Sequence, residues 1–482
     1  MRTLLISTYE LGRQPFGLAS PAAWLRKAGV EVACLDLSRE AFREELAAEA
    51  DLVAFYLPMH TATRLAVPLI QSIRERTPGA NLCCYGLYAP MNEKFLRAQG
   101  VQTILGGEFE QGLLDLASRL AHDGVAPNNP QPEPVVSLDR QNFLTPDRRR
   151  LPPLAQYARL MRPDGTQGVV GYTEASRGCK HLCRHCPVVP VYRGIFRIVS
   201  RAVVLDDVRQ QVKAGAEHIS FGDPDFFNGI GHAVALVEEF HRQFPRLTYD
   251  VTIKIEHLLH HAEHLATLRR TGCLFVTSAV ESVDDEILAR LAKGHTRADF
   301  LRVVAAFDDA KLALQPTFVP FTPWTTLEGF LDLLDVLESS GLAENVAPIQ
   351  LAIRLLIPRG SYLLELSEMA HFLQPFDDAA LVYRWRNPDP RVDELAKKVS
   401  EIVQVGEKSH AARARIFHKI RNAAGEAAGL APITVSAASA SSQQTALPYV
   451  NEPWYCCAEP AEDQLVPLVR PQKSRPGAEG FV

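Results

Sequence analysis

The chain predicts an α/β protein: an N-terminal Rossmann-like parallel sheet, then a partial (β/α)6 barrel, then a helical and flexible C-terminal region. Three observations carry this. Short apolar runs alternate with amphipathic stretches over residues 1–121 and again from 169 to 356, and strict βα alternation calls for parallel strands with crossover helices. Between the two runs lies Asn128-Asn129-Pro130-Gln131-Pro132-Glu133-Pro134, which suits neither a helix nor a central strand. Beyond residue 424 the composition turns Ala/Ser/Gly-rich, the signature of a flexible linker. The implied division is 1–125 for the first layer, 126–165 for a linker, 166–360 for the barrel, 361–424 for helices and 425–482 for a tail.

In the first layer, strands are expected at 3–7, 30–37, 52–57, 81–86 and 103–105. Helices are expected at 19–28, 39–50, 61–76, 91–98 and 108–121, the first opening at Ser20-Pro21. In the second run, strands are expected at 169–173, 218–221, 250–254, 273–279, 313–319 and 349–356. Helices fill the gaps at 200–214, 231–243, 255–271, 284–291, 298–310 and 326–339. Six βα units of about 30 residues fit a partial barrel better than an open sheet.

Composition narrows the function classes. Lys+Arg 51 against Asp+Glu 56 leaves a charge of −5 in 482 residues, which argues against a nucleic-acid carpet or a polybasic membrane anchor. No apolar run approaches the ~18–20 residues that span a bilayer, so no membrane partner is expected. The start, Met1-Arg2-Thr3-Leu4-Leu5-Ile6-Ser7, lacks the core and cleavage site of a signal peptide, so a cytoplasmic location is expected.

Nine cysteines do not read as a disulfide framework in an unsecreted chain. Cys179, Cys183 and Cys186 fall within eight residues in C-x3-C-x2-C spacing, directly after the first expected barrel strand. That is the end of a βα barrel that carries chemistry. Three soft thiolates on one loop suit three irons of a [4Fe–4S] cube, leaving the fourth open to substrate. A zinc loop drawing on His181 or His185 is the alternative, although no second ligand pair follows downstream. Cys83-Cys84 lies in an expected strand and reads as a pair of buried core thiols.

The segment Glu174-Ala175-Ser176-Arg177-Gly178-Cys179-Lys180-His181-Leu182-Cys183-Arg184-His185-Cys186 resembles the signature of radical S-adenosylmethionine (SAM) enzymes, a resemblance covering roughly 168–358. It implies that the three cysteines hold the cluster, that SAM chelates the open iron, and that an electron donor such as flavodoxin or ferredoxin serves the enzyme. Gly222-Asp223-Pro224-Asp225 partially matches the stretch that receives the SAM amino group, with Asp223 and Asp225 as its acids; a capped turn is the other reading. Glu281 or Ser282, followed by Lys293-Gly294-His295-Thr296, resembles the ribose-side segment. Arg354 would fork onto the SAM carboxylate or be a structural arginine of the barrel rim.

A Rossmann-like layer ahead of such a barrel resembles the cobalamin-binding members of the superfamily, and Gly106-Gly107-Glu108-Phe109-Glu110 matches their last βα turn. Their Asp-x-His-x-x-Gly lower-ligand motif is replaced by Ser7-Thr8-Tyr9-Glu10-Leu11-Gly12, which has no histidine. Near the end, Cys456-Cys457-Ala458-Glu459-Pro460 resembles the tail that names the CUAEP/CCAEP-tail radical SAM proteins, some of which carry selenocysteine where this chain has Cys457. Two adjacent thiolates chelate a soft atom well; a redox pair or a tail without a role are the other readings. The resemblance extends to the enzymes of arsinothricin biosynthesis. It implies transfer of the 3-amino-3-carboxypropyl group of SAM to trivalent arsenic, As(III), with Cys456 and Cys457 presenting the metalloid. The second expectation is a cobalamin-assisted methyltransferase acting on a natural product. A metalloid or redox sensor is the third.

Overall fold

The computed structural model describes residues 1–123, 131–431 and 447–452. The N-terminal layer runs β1 (Arg2–Ser7), α1 (Phe16–Lys27), β2 (Glu31–Asp36), α2 (Glu44–Glu49), β3 (Leu52–Tyr56), α3 (His60–Arg76), β4 (Asn81–Tyr85), α4 (Tyr88–Met91), α5 (Glu93–Ala98), β5 (Thr103–Gly107) and α6 (Phe109–Asp123), closing with β6 (Val136–Ser137). The strands form one parallel sheet in the order β2-β1-β3-β4-β5-β6. Two apolar clusters fill its faces, one around Leu4, Phe55 and Ile70, the other around Leu5, Leu25 and Leu113. The strand order reverses between β1 and β3, and an open α/β sheet binds ligands outside the strand ends at such a point.

Two helices differ from expectation for local reasons. The helix expected over 39–50 keeps only its last part, because Asp36 accepts hydrogen bonds from Ser38 N and Oγ and holds the chain in a turn. The first helix starts at Phe16, after Pro15, so Pro21 lies inside it. A proline there denies Gly17 O its intrahelical donor; the Tyr85 hydroxyl donates to that carbonyl instead, at 2.7 Å.

The second sheet begins with β7 (Arg159–Met161), β8 (Gln167–Thr173) and, off its end, the ribbon β9 (Ser176–Gly178). After α7 (Val188–Tyr192) and β10 (Phe196–Ile198) come α8 (Arg201–Lys213), β11 (His218–Phe221), α9 (Ile230–Gln243) and β12 (Thr248–Thr252). Then follow α10 (Ile255–His260), α11 (Leu265–Arg270), β13 (Cys273–Glu281), α12 (Asp285–Arg290), α13 (Arg297–Ala310), β14 (Ala313–Phe318) and α14 (Leu327–Ser339). The order β14-β13-β12-β11-β8-β7 makes a curled half-barrel, parallel from β8 to β14. The helix expected over 255–271 breaks at a 3-10 turn, Ala262–His264, in a histidine-rich stretch of weak helix propensity.

The sixth barrel strand expected over 349–356 does not form. Pro348–Leu351 is a 3-10 turn, and only the single bridge between Phe321 and Arg354 continues the ladder. The Gln350 side chain accepts from Phe318 N at 3.3 Å, so a side chain meets an edge donor of β14. The region expected to be helical opens with two 3-10 turns, Tyr362–Glu365 and Ser367–His371, then carries the hairpin β15 (Leu373–Asp377) and β16 (Val382–Trp385) before α15 (Pro390–Lys408) and α16 (Arg413–Ala427). A last strand, β17 (Tyr449–Val450), lies antiparallel against β7 within the stretch expected to be flexible tail. Among the described residues no helix is long and apolar enough to cross a membrane.

Candidate active site

The three-cysteine loop leaves the carboxyl end of β8. β9 and β10 pair antiparallel and hold the loop between them closed. Gly178, at φ +73°, turns the chain into Cys179; a Cβ there would lie 2.4 Å from Ile195 O, so the turn needs glycine. Asn228 Oδ1 accepts from Lys180 N at 3.2 Å, and Arg184 N donates to Leu291 O at 3.0 Å, fixing the two sides of the loop. Cys179, Cys183 and Cys186 border one cavity of about 270 Å³. Burial, then the charge of Asp225, pushes the Cys179 thiol up to about 11; metal coordination deprotonates such a thiol outright. Three soft donors converging on a single cavity fit a [4Fe–4S] cluster with one open iron. Cys179, His181 and Asp225 also bring ligand atoms within 4.8 Å of one another, the best geometry for a zinc loop, but that set leaves out Cys183 and Cys186.

The residues expected to receive SAM divide into two groups. Gly222, Asp223, Asp225 and Glu281 border the cavity with the cysteines. Gly222 is bare because the Tyr172 hydroxyl lies 1.8 Å from where its Cβ would stand. Asp223 accepts from Ser176 Oγ at 2.5 Å and from Ala175 N at 3.0 Å, tying β11 to the cysteine loop, and burial pushes its carboxyl up to about 7. Asp225 faces His257 Nδ1 at 2.6 Å and His181 Nε2 at 3.3 Å; burial would raise its carboxyl, but the two imidazoles hold it below the ordinary value. Glu281 ends β13 at a register shift with φ +72°, a strained conformation for a residue with a side chain. Burial opposes its charge, yet Lys293 at 3.4 Å and His185 at 3.1 Å draw it down to about 2, so it is a fixed anion on the cavity wall.

The others lie elsewhere. Ser282 Oγ accepts from Asp284 N at the start of α12 and does not border the cavity. Arg354 donates to Asp393 Oδ1 and Trp385 O, both at 2.7 Å, and stacks 3.6 Å over the Trp385 ring, away from the cysteines. Cys456 and Cys457 lie outside the described residues. Sequence reasoning missed Lys254, which borders the cavity and pairs with Glu256 at 3.2 Å, and His257, which Asp225 engages.

The opposite wall is built by the N-terminal layer at its strand-order reversal: Glu10, Leu11 and Arg13 after β1, Pro58 and Met59 after β3, Leu87 and Tyr88 after β4. A clamp joins the two walls. Arg177, buried beside Cys179, meets Glu110 at 2.6 Å, Glu108 at 3.3 Å and Glu174 at 2.8 Å. Burial would raise Glu110, but the Arg177 guanidinium outweighs it and holds that carboxyl low; burial leaves Glu108 pushed up to about 7. The Gly-Gly-Glu-Phe-Glu turn therefore grips the cysteine loop.

Two observations bear on cobalamin. A second cavity of about 190 Å³ shares Tyr56, Pro58, Leu87, Gly222 and Pro224 with the first and reaches Gly107 and Phe109 after β5. The space facing the cysteines thus runs along the ends of β1, β3, β4 and β5, a largely apolar slot of the kind that takes a cofactor. Glu10 Oε2, buried and without a hydrogen-bond partner, borders it. The loops after β1, β3, β4 and β5 are the ones that would hold such a cofactor. They offer no histidine beneath it: Tyr9, at the place of the motif histidine, donates its hydroxyl to Glu452 at 2.7 Å.

The half-barrel with the cysteine loop at its mouth, and the Rossmann-like parallel layer facing it, have counterparts among known proteins. The radical SAM superfamily model matches residues 173–334. The hopanoid C-3 methylase of Methylococcus capsulatus is 27% identical over 303 residues, covering 60% of this chain; the chain spans 58% of that relative's length. The tRNA-2-methylthio-N(6)-dimethylallyladenosine synthase of Geobacter sulfurreducens is 26% identical over 196 residues, 37% of this chain and 42% of that protein. Among solved structures, the radical SAM methyltransferase TsrM from Kitasatospora setae, with tryptophan and a SAM analogue bound, superposes with TM-score 0.59 at 20% identity over 77% of this chain and 78% of its own. The cobalamin-dependent SAM radical enzyme OxsB, with aqua-cobalamin and SAM bound, gives 0.67 at 13% identity over 89% and 70%. These two share the fold.

Proposed function

We propose that the protein is a radical SAM methyltransferase that takes cobalamin in the slot between its two sheets and methylates a small molecule. Two adjoining cavities with shared walls carry this reading: the cysteine loop forms one side and the ends of β1, β3, β4 and β5 the other. The methylase and methyltransferase named among its relatives support the same group. Cys179, Cys183 and Cys186 would hold the [4Fe–4S] cluster, which when bound delivers one electron at a time from a donor of the flavodoxin or ferredoxin kind. The loops carrying Leu11, Pro58 and Leu87 would hold the cobalamin, whose chemistry when bound is to carry a methyl group. Glu281, kept anionic by Lys293 and His185, orients the sugar or amino end of SAM. The Asp225, His181 and His257 group fixes the side of the cavity beside Cys179. Leu11, Pro58, Met59 and Leu87 exclude water. The test is equilibrium binding of hydroxocobalamin to the anaerobically reconstituted protein, read by its visible spectrum. Roughly one equivalent bound supports the reading; none removes it.

A second reading is transfer of the 3-amino-3-carboxypropyl group of SAM to As(III). The vicinal pair Cys456-Cys457 favours it, because two thiolates suit As(III). Methylthioadenosine released only when As(III) is present would support that reading over methyl transfer.

A further inference from the structure

From Ala175 to Leu205 the chain carries five arginines and one lysine and no acidic residue, within a protein of net charge −5. Arg177 is neutralised by its three glutamates. Arg184 donates to Ala289 O and Arg290 O, and Arg197 to Leu138 O, carbonyls that leave the charge uncompensated. Lys180, Arg193 and Arg201 are exposed and have no ion-pair partner among the described residues. The acids closest to the loop are engaged elsewhere, Asp225 by His181 and His257 and Glu256 by Lys254. Apolar side chains stand among these cations. Six large hydrophobic side chains are exposed among the described residues, and three of them belong to this one stretch: Leu182 at 54%, Ile195 at 38% and Ile198 at 44%. Leu182 Cδ2 lies 3.5 Å from where a Cβ on Gly194 would stand, next to Ile195, and Ile198 follows on β10. None of the three, nor Lys180 or Arg193, borders either cavity beside the cysteines, so the patch lies on the outer side of the loop. Apolar side chains exposed together inside a polar rim mark an interaction site.

We propose that the outer face of the cysteine loop, Leu182, Ile195 and Ile198 ringed by Lys180, Arg193 and Arg201, is the docking surface of an acidic one-electron carrier protein. The inner face of the loop is covered by the N-terminal layer, whose Glu108 and Glu110 grip Arg177. A protein donor therefore delivers its electron from outside. A carrier seated on Leu182 stands one residue from Cys183 and so beside the cluster. The carrier is oxidised by one electron, the cluster is reduced by one, and no bond forms or breaks. The basic ring supplies on-rate and orientation for an acidic partner. A patch of three apolar side chains suits the small, transient interfaces of electron transfer. The inference rests on the cluster reading of the three cysteines and not on cobalamin or on which group SAM transfers.

The test uses the full chain with its cluster reconstituted, without oxygen, and two probes: an acidic flavodoxin and an acidic ferredoxin. Titration calorimetry reads equilibrium binding of each oxidised carrier. Stopped-flow absorbance reads reduction of the cluster by each reduced carrier, with dithionite, a small reductant that needs no docking surface, as the reference. Arg193→Glu/Arg201→Glu should weaken binding of the carrier that the wild type prefers, and slow its electron transfer, by at least ~10-fold at low ionic strength. That difference should shrink toward ~1 M salt, where charges are screened beyond about 3 Å. Ile195→Ser/Ile198→Ser should weaken binding severalfold at either salt concentration. Both variants should keep wild-type iron content and dithionite reduction. Lys397→Glu/Lys419→Glu, exposed on α15 and α16, is the charge-matched control and should bind the carrier like the wild type. Binding of neither carrier to the wild type, a charge variant no weaker than the control, or an equal slowing with dithionite would overturn the docking surface. A wild type that dithionite does not reduce would remove the cluster reading and the docking surface with it.

Discussion

Removing Arg177 should loosen the joint between the two sheets, and should do so more at high pH than at low. Arg177 is 6% exposed, and its guanidinium lies within 3.3 Å of three carboxylates, two of them on the N-terminal layer. Arg177→Met keeps the volume and removes the charge, leaving Glu108, Glu110 and Glu174 buried without a cation. Breaking a buried pair in this way costs about 3–5 kcal/mol. At about 2–4 °C per kcal/mol this is a fall of roughly 6–20 °C in the melting temperature. The pH dependence follows from linkage. In the wild type Glu110 sits below the ordinary carboxylate value, so its contribution is present at neutral pH and lost as pH falls through its folded value. In the variant burial and the mutual repulsion of the three carboxylates meet no cation, only the hydrogen bonds from groups such as Ser20 and Gln141, and all three groups rise. The folded state then holds more protons than the unfolded chain above about pH 4.3, and stability falls as pH rises. Melts of the apo protein at pH 5.5 and pH 7.5 read both effects, with Arg177→Lys as a variant that retains the charge. A variant within about 0.5 kcal/mol of wild type, the scatter of an ordinary surface change, would refute the clamp. So would an equal loss at both pH values.

Further outcomes follow from the same geometry. Cys179→Ala/Cys183→Ala/Cys186→Ala should abolish iron binding and SAM cleavage together, checked by iron analysis and chromatography of SAM fragments. Glu281→Gln removes an anion that His185 and Lys293 hold in place; losing a charged hydrogen bond of about 1.5–3 kcal/mol should weaken SAM binding by roughly 10-fold or more, read by equilibrium dialysis. Arg354→Gln should leave SAM affinity within about twofold and cost about 1 kcal/mol of stability at most, because its partners are Asp393 and Trp385 and it is partly exposed.

Much of the fold was legible because its signals are local. The βα alternation and the Pro-rich break lie in contiguous residues, and the C-x3-C-x2-C loop needs only its own spacing. What escaped depends on distant partners. Arg177 reaches Glu110 across 67 positions, and Arg354 looked like a site residue until Asp393 and Trp385 were seen to hold it. The strand expected over 349–356 has the right apolar pattern, but the Gln350 side chain already meets an edge donor of β14. β17 has two residues, too few for any periodicity to register. Tyr9 read as a missing histidine; its positive role appears only with Glu452 beside it.

The most direct measurement is the fate of SAM. Protein reconstituted with iron and sulfide is supplied anaerobically with hydroxocobalamin, reductant and SAM labelled in its methyl group, and the fragments are identified by mass spectrometry. A methyltransferase with cobalamin in the interdomain slot releases S-adenosylhomocysteine, and cobalamin raises that release. Methylthioadenosine in place of S-adenosylhomocysteine, with no response to cobalamin, would contradict it.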